Sequence, residues 1–428
     1  MRTWCAAALL VMAAGAARAT CVGDCNADGE VGIGELILGV KIALGAAELA
    51  ACPAFDGNGS SAVDMPELIA AVGDALEGCT VAATTAGIVF GGENNRLNAY
   101  QPSDGFPKQT VIENAARDPN GRDINGQICF TRGPAGGRRF IAGEDTNQGT
   151  GHEGAGWGLF ELSGDMVGGF SAMQIGKLKP TYQTTDDGAE NYGCGFLSDG
   201  RLLTGDVGNQ STGSGNGQLI VWFPPFEGTE QHYCKLDVTI PTAQQIAIDG
   251  QDRIFISSSR GPGGVYRILG DIPTSDTAAG GCGRLDGTGK PLADEGRITR
   301  ELFIAAAGSE SIVTPSGVVI RPNGHFYVAS VLNGVIAEYD ADGQFVREVL
   351  RPPAPGLPAS TGHPLGIGLA SDGTIYYADI GLSVGPGGVG PGRNLGKVRR
   401  IRFVNDVPQL PEIMDEGLNF PDGIGILE

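Results

Sequence analysis

What most limits the folds open to this 428-residue chain is a recurring pattern of short β-prone runs broken by glycine-containing turns. Residues 363–403 show it most plainly. They hold an apolar run at 367–369, a Ser371-Asp372-Gly373 turn, a β-branched and aromatic run at 374–378, a loop opening at Asp379 and a further run at 397–403. Short apolar runs bounded by Gly, Asp and Asn read as strands joined by tight turns, so this segment is an antiparallel meander. The same order of signals returns over 314–350, with turns at Arg321-Pro322-Asn323-Gly324 and Asp342-Gly343. Two such units side by side make a repeat architecture the first reading.

Further copies start at 125–130, 191–196 and 245–249, the last with a long insertion before 301–305. The runs at 87–90, 96–101 and 109–113 have no inner strand before them, whereas Phe420-Pro421-Asp422-Gly423 and the apolar end that follows read as an inner strand with nothing after it. The pattern predicts an all-β six-bladed β-propeller over 87–428, closed by the C-terminal strand so that no sheet edge stays open.

Ahead of it, Arg2, an apolar run over 4–17 and Ala17-Arg18-Ala19 read as a signal peptide over 1–19, cleaved near Ala19, which predicts a secreted or periplasmic protein. No later stretch reaches the ~18 apolar residues that would span a bilayer. The 29 Lys and Arg against 49 Asp and Glu give a net charge of -20, which opposes nucleic acid and anionic lipid and suits a neutral ligand or a cation. Loss of Cys5 with the signal leaves Cys21, Cys25, Cys52, Cys79, Cys129, Cys194, Cys234 and Cys282, an even set that predicts disulfides in an exported chain. Cys129 and Cys194 fall in inner strands of adjacent blades, and Cys234 and Cys282 in the outer part of one blade and the insertion of the next, so these two pairs are expected. The first four cysteines allow three pairings, which remain open.

Asp24, Asn26, Asp28, Glu30 and Glu35 stand at positions 1, 3, 5, 7 and 12 of a calcium loop with Gly29 at position 6. Alternating oxygen donors wrap a hard cation, and the last carboxylate binds it from the start of a helix expected over 35–44. Asp56, Asn58, Ser60, Asp64 and Glu67 repeat the pattern before a helix expected over 68–76, with Ser61 in the glycine position predicting weaker binding. Two such units in tandem resemble a type I dockerin, a small α-helical EF-hand-like domain, over 20–79 with a linker at 80–86. The resemblance implies Ca2+ as cofactor and a cohesin-like partner.

In a propeller the loops entering inner strands and those leaving second strands share one face. Asp422, Asn125, Asn191, Gln245, Ser316 and His363 enter the inner strands, while Glu93, Glu144, Asp206, Ser258, Ser330 and Asp379 leave the second strands. Such carboxylates and amides suit calcium, and the same residue types also close Asx turns. PLGIGLASDGTIYYADIG is similar to NHL-type repeats, and FPDGIGIL is similar to the Pro-Asp-Gly segment of the SMP-30/gluconolactonase group of calcium-dependent lactonases and phosphotriesterases. That resemblance implies a channel-mouth ion held by Asp422, Asn125 and Asn191, with Glu144 or Glu93 for the family glutamate. It also implies hydrolysis of a lactone or ester, with Asp206, Asp379 or His363 taking the proton. The competing expectation is a non-catalytic propeller that binds an extracellular protein or glycan and is assembled through the N-terminal domain.

Overall fold

A computed structural model of the chain describes residues 22–26, 31–56, 62–77, 87–93, 96–103, 105–113, 122–133, 136–146, 156–178, 189–209, 217–227, 231–287, 289–309, 311–351, 362–385 and 388–428. The chain divides into two compact units, Met1–Thr85 and Ala86–Glu428. The expected signal segment and the linker at 80–86 lie outside the described residues.

The first unit has two helices, α1 (Ile33–Ala43) and α2 (Met65–Glu77). Both start earlier than the apolar pattern suggests, because a carboxylate caps each start. Glu35 Oε2 accepts the N–H of Gly32 at 2.8 Å, and its Oε1 accepts that of Cys25 at 2.8 Å. Asp64 and Glu67 exchange bonds at α2, each accepting the other's backbone N–H. Ile42, Cys52, Phe55, Val63 and Ala71 form the core. Phe55 fits only because residue 39 is glycine, where a Cβ would lie 2.3 Å from its ring. Cys25 is bonded to Cys52, and Cys21 and Cys79 lie outside the described residues.

The second unit is an all-β propeller of six blades, each built on four antiparallel strands. Blade one runs outward as Pro421–Leu427, Ile88–Glu93, Arg96–Tyr100 and Lys108–Ile112, so the last strand of the chain is its inner strand. The inner strands of blades two to six are Arg122–Arg132, Ala189–Phe196, Ile246–Ile248, Pro315–Ile320 and Pro364–Leu369. Their second strands are Arg138–Thr146, Leu202–Asn209, Ile254–Ser258, Phe326–Ser330 and Ile375–Asp379. Each blade packs on two neighbours, so middle strands such as Ile375–Asp379 are buried along their whole length. This is why they read as continuous apolar runs. One apolar cluster fills each junction; between blades one and two it is Phe90, Phe140, Phe160 and Phe170 with Leu97 and Leu162.

Three elements depart from the expected plan. Glu412–Leu418 is the outer strand of blade six, although its charged residues carry no strand signal. The glycine-rich stretch near 385 forms a hairpin, Leu382–Gly385 with Gly388–Pro391. Within the blade-four insertion, Pro291–Leu292 and Arg284–Leu285 extend the sheet of blade three. Cys129–Cys194 joins the inner strands of blades two and three, and Cys234–Cys282 ties blade three to that insertion. Three disulfides among the described residues are the bonds of an oxidising compartment, extracellular or periplasmic. No helix among the described residues is long and apolar enough to cross a membrane.

Candidate functional site

Around the propeller axis the inner strands approach backbone to backbone. A Cβ added at Gly423 would lie 1.5 Å from the carbonyl oxygen of Gly126, one at Gly193 would lie 1.8 Å from that of Gln244, and one at Gly366 would lie 2.3 Å from that of Asp422. These glycines define the true register of the ring. The residues before them are Asp422, Asn125, Tyr192, Ser316 and Leu365, with Gln244 and Gln245 in blade four. Asp422 and Asn125 are therefore equivalent, whereas Asn191 stands one position earlier. It faces Asp206 across the sheet as Pro421 faces Glu93. His363 lies two positions before Leu365, ahead of its strand.

The second strands end on an equivalent set of oxygens, and in four blades these have a common task. Ser330 Oγ accepts the N–H groups of Val313 and Thr314 at 3.0 Å, and Ser258 Oγ that of Thr242 at 3.1 Å. Asp379 Oδ1 accepts that of His363 at 2.8 Å, and Glu93 Oε1 that of Asn419 at 2.9 Å. Each donor lies in the loop that enters the inner strand of the same blade. These side chains thus satisfy loop N–H groups that would otherwise be buried without partners. Asp206, wholly buried, accepts the N–H of Gln218 at 3.2 Å. The side chains of Asn125 and Glu144 lie outside the described residues.

Charge is compensated in the same local way. Asp379 Oδ2 lies 3.2 Å from Arg399 Nε, with both side chains buried. Beside it, His363 Nδ1 accepts the N–H of Leu382 at 3.3 Å, a bond that a neutral ring with its proton on Nε2 can make. Burial pushes the pKa of this imidazole down, against the pull of Asp379. Asp422 Oδ2 accepts the N–H of Gly126 at 2.8 Å, and Asn191 Nδ2 donates to the carbonyl of Gly156 at 2.7 Å.

Between these groups the channel mouth is filled. Tyr192 and Val207 from blade three, Val331 from blade five, and Leu365 and Ile380 from blade six form one buried apolar cluster. Blades three and six are opposite in a ring of six, so the cluster crosses the axis. The Tyr192 hydroxyl donates to the carbonyl of Asp422 at 2.9 Å, tying in blade one. Further along the axis two carboxamides span the channel. Gln127 Nε2 donates to the carbonyl of Ile246 at 2.9 Å, and its Oε1 accepts the N–H groups of Ile246 and Cys194 at 3.0 Å. Gln245 brackets Ile367 in the same way at 2.7 and 3.1 Å.

The arrangement brings His363 to Asp379 and Asn191 to Asp206, and leaves the two pairs on opposite sides of the plug. Calcium takes six to eight oxygen ligands, whereas the ring positions of Asp422 and Asn125 are continued by Tyr192 and Leu365. Among the described residues no group of three or more His, Cys, Asp or Glu side chains is placed to hold a metal ion. In the first unit the donor chemistry suits a hard cation better, since Asp24 and Glu67 are buried carboxylates at the first and last positions of the two loops. Asn26, Glu35, Asp56 and Asp64 are also described, whereas Asp28, Glu30, Asn58 and Ser60 lie outside the described residues.

No family model matches the chain, and no curated protein matches its sequence. Solved structures do align with it. Luciferin-regenerating enzyme is 12% identical over 80% of this chain and 98% of that one, with a TM-score of 0.44. A chain of a nidogen/laminin complex is 9% identical over 80% and 98%, with a TM-score of 0.45. The calcium-binding protein regucalcin from Agrobacterium tumefaciens is 16% identical over 67% and 75%, with a TM-score of 0.42.

Proposed function

We propose that this chain is an exported, calcium-binding propeller protein that recognises an extracellular protein or glycan through its upper-face loops, without catalysis, and is assembled through its N-terminal unit. The apolar plug of Tyr192, Val207, Val331, Leu365 and Ile380 carries this reading. A metal-dependent hydrolase needs a position at the mouth where ion, water and a substrate carbonyl meet, and here apolar side chains occupy it. Glu93 and Asp379 brace the loops that enter their blades, which suits a rigid recognition face. Calcium in this reading belongs to the loops 24–35 and 56–67, and a cohesin-like scaffold is the partner that the dockerin resemblance implies.

A calcium-dependent hydrolase of lactones or esters is the second reading, favoured by the pairing of Asn191 with Asp206 in blade three and by the Tyr192 hydroxyl that reaches the Asp422 backbone in blade one. There the ion would polarise the carbonyl and activate a water, and Asp206, on the same side of the plug as Asn191, would take the proton. His363 and Asp379 across the plug would not. A panel of lactones and aryl esters, assayed on the full-length chain with calcium, separates the two. The binding reading expects no turnover above the buffer rate. Turnover that needs calcium and is lost in Asp206→Asn and Asp422→Ala would hand the site to the hydrolase.

A further inference from the structure

A second site lies away from the axis, on the upper shoulder of blade five. A cavity of about 630 Å³ opens there, lined by Ser309, Ser311, Asn333, Phe345, Glu348 and Arg351. Its volume is within the ~300–1,000 Å³ usual for ligand pockets. Ser309 and Ser311 belong to the loop entering the blade, Asn333 to the turn leaving its second strand, and Phe345 and Glu348 to its outer strand, Phe345–Leu350.

The groups in this cavity are arranged before any ligand arrives. The Ser311 hydroxyl donates to Glu348 Oε1 at 2.9 Å, and the Arg351 guanidinium pairs with the other carboxylate oxygen. Asn333 Nδ2 donates to the carbonyl of Ser311 at 2.6 Å, while its buried Oδ1 has no hydrogen-bond partner among the described residues. At the rim Phe345 is 52% exposed, its ring held edge-on by Tyr339 at 5.9 Å.

We infer that this cavity binds a neutral saccharide, which makes the glycan half of the binding reading specific and rests on that reading. Glu348 and Arg351 cancel in charge, so a charged ligand would have to break their pair. A purely apolar ligand would bury that pair without compensation. A sugar hydroxyl both donates and accepts, so neighbouring hydroxyls can bond the planar carboxylate and guanidinium at once. The apolar C–H face of a pyranose matches the exposed ring of Phe345.

The test is saturation-transfer NMR and calorimetry on the full-length protein with cellobiose, maltose, lactose and N,N′-diacetylchitobiose, and with digalacturonate as the charged contrast. At least one neutral disaccharide is expected to bind saturably, and digalacturonate is not. Phe345→Ala, which removes the ring at the rim, and Asn333→Ala, which frees the loop that carries Ser311, should each weaken binding by about tenfold or more. Glu348→Gln, which keeps the shape and removes the carboxylate, should weaken binding as well, and all three should melt with the wild type, which separates a lost contact from misfolding. Binding unchanged in the three variants, preference for digalacturonate, or no saturable signal from the neutral panel would each overturn the assignment. Failure of the underlying reading looks different, since it appears as calcium-dependent turnover of a lactone or ester.

Discussion

Asp379 and Arg399 are both nearly inaccessible to solvent, and a buried carboxylate persists as an ion only beside a compensating charge. Arg399→Met keeps much of the side-chain volume and removes that charge, so it should cost about 3–5 kcal/mol in urea unfolding. Asp379→Asn keeps an acceptor for the His363 N–H but leaves the buried Arg399 guanidinium without its counter-charge, so it should cost a similar amount. Equal stability of Arg399→Met and wild type would mean that Asp379 is held by something else. His363 gives a pH dependence of definite sign. Its imidazole titrates near 6.5 in an unfolded chain, and burial holds the folded ring below that value. Below about pH 6.5 the unfolded chain therefore binds more protons than the folded one, so stability present at neutral pH declines as pH falls toward the folded pKa. The melting temperature should drop more between pH 7.5 and 5.5 in the wild type than in His363→Gln. The pairs His325–Glu338 and His232–Asp276 are present in both proteins, so their contributions cancel. Equal drops would remove His363 from the account.

The inner strands are the elements on which the molecule depends, and their packing is glycine against backbone. Gly423→Ala puts a methyl group where the Gly126 carbonyl already stands, so the two strands must part, at a cost of about 1–3 kcal/mol by thermal unfolding. Gly250→Ala, with nothing within 4 Å, should change little; equal effects of the two would refute the close-approach account. The same strands explain what could be read from the sequence. Blade order and the closing strand were legible because middle strands buried on both faces leave continuous apolar runs, and because 420–427 has an inner-strand pattern and no strands after it. The plug was not legible. Tyr192 and Leu365 sit in apolar strands where Tyr and Leu are ordinary, and their meeting across the axis depends on the cross-blade register fixed by glycines. Counting from each inner-strand glycine would have found it, since that count puts Tyr192, not Asn191, beside Asp422 and Asn125 in the ring. The oxygens ending the second strands were legible by position, but whether such an oxygen holds an ion or a loop N–H depends on which partner the fold brings to it.

At the scale of the whole molecule, two compact units predict two unfolding transitions rather than one. The first unit has a small core of Ile42, Cys52, Phe55, Val63 and Ala71, and on the reading that calcium binds its loops a core of that size would gain much of its stability from the ion. Calcium at one hundred times its dissociation constant would add about 2.7 kcal/mol to such a unit. The propeller is held by apolar junctions between its blades, by two disulfides and by an apolar plug at the axis, none of which needs an ion. Calorimetry of the full-length chain should therefore show a lower transition that falls on adding EDTA and returns with excess calcium, and an upper one that moves in neither case. Glu35→Gln with Glu67→Gln should reproduce the EDTA trace without the chelator, because both remove the last carboxylate of each loop. Asp422→Ala should leave the calcium response as it is. An upper transition that falls with EDTA and loses that response in Asp422→Ala would put an ion in the ring, and the recognition reading would then give way to the hydrolase.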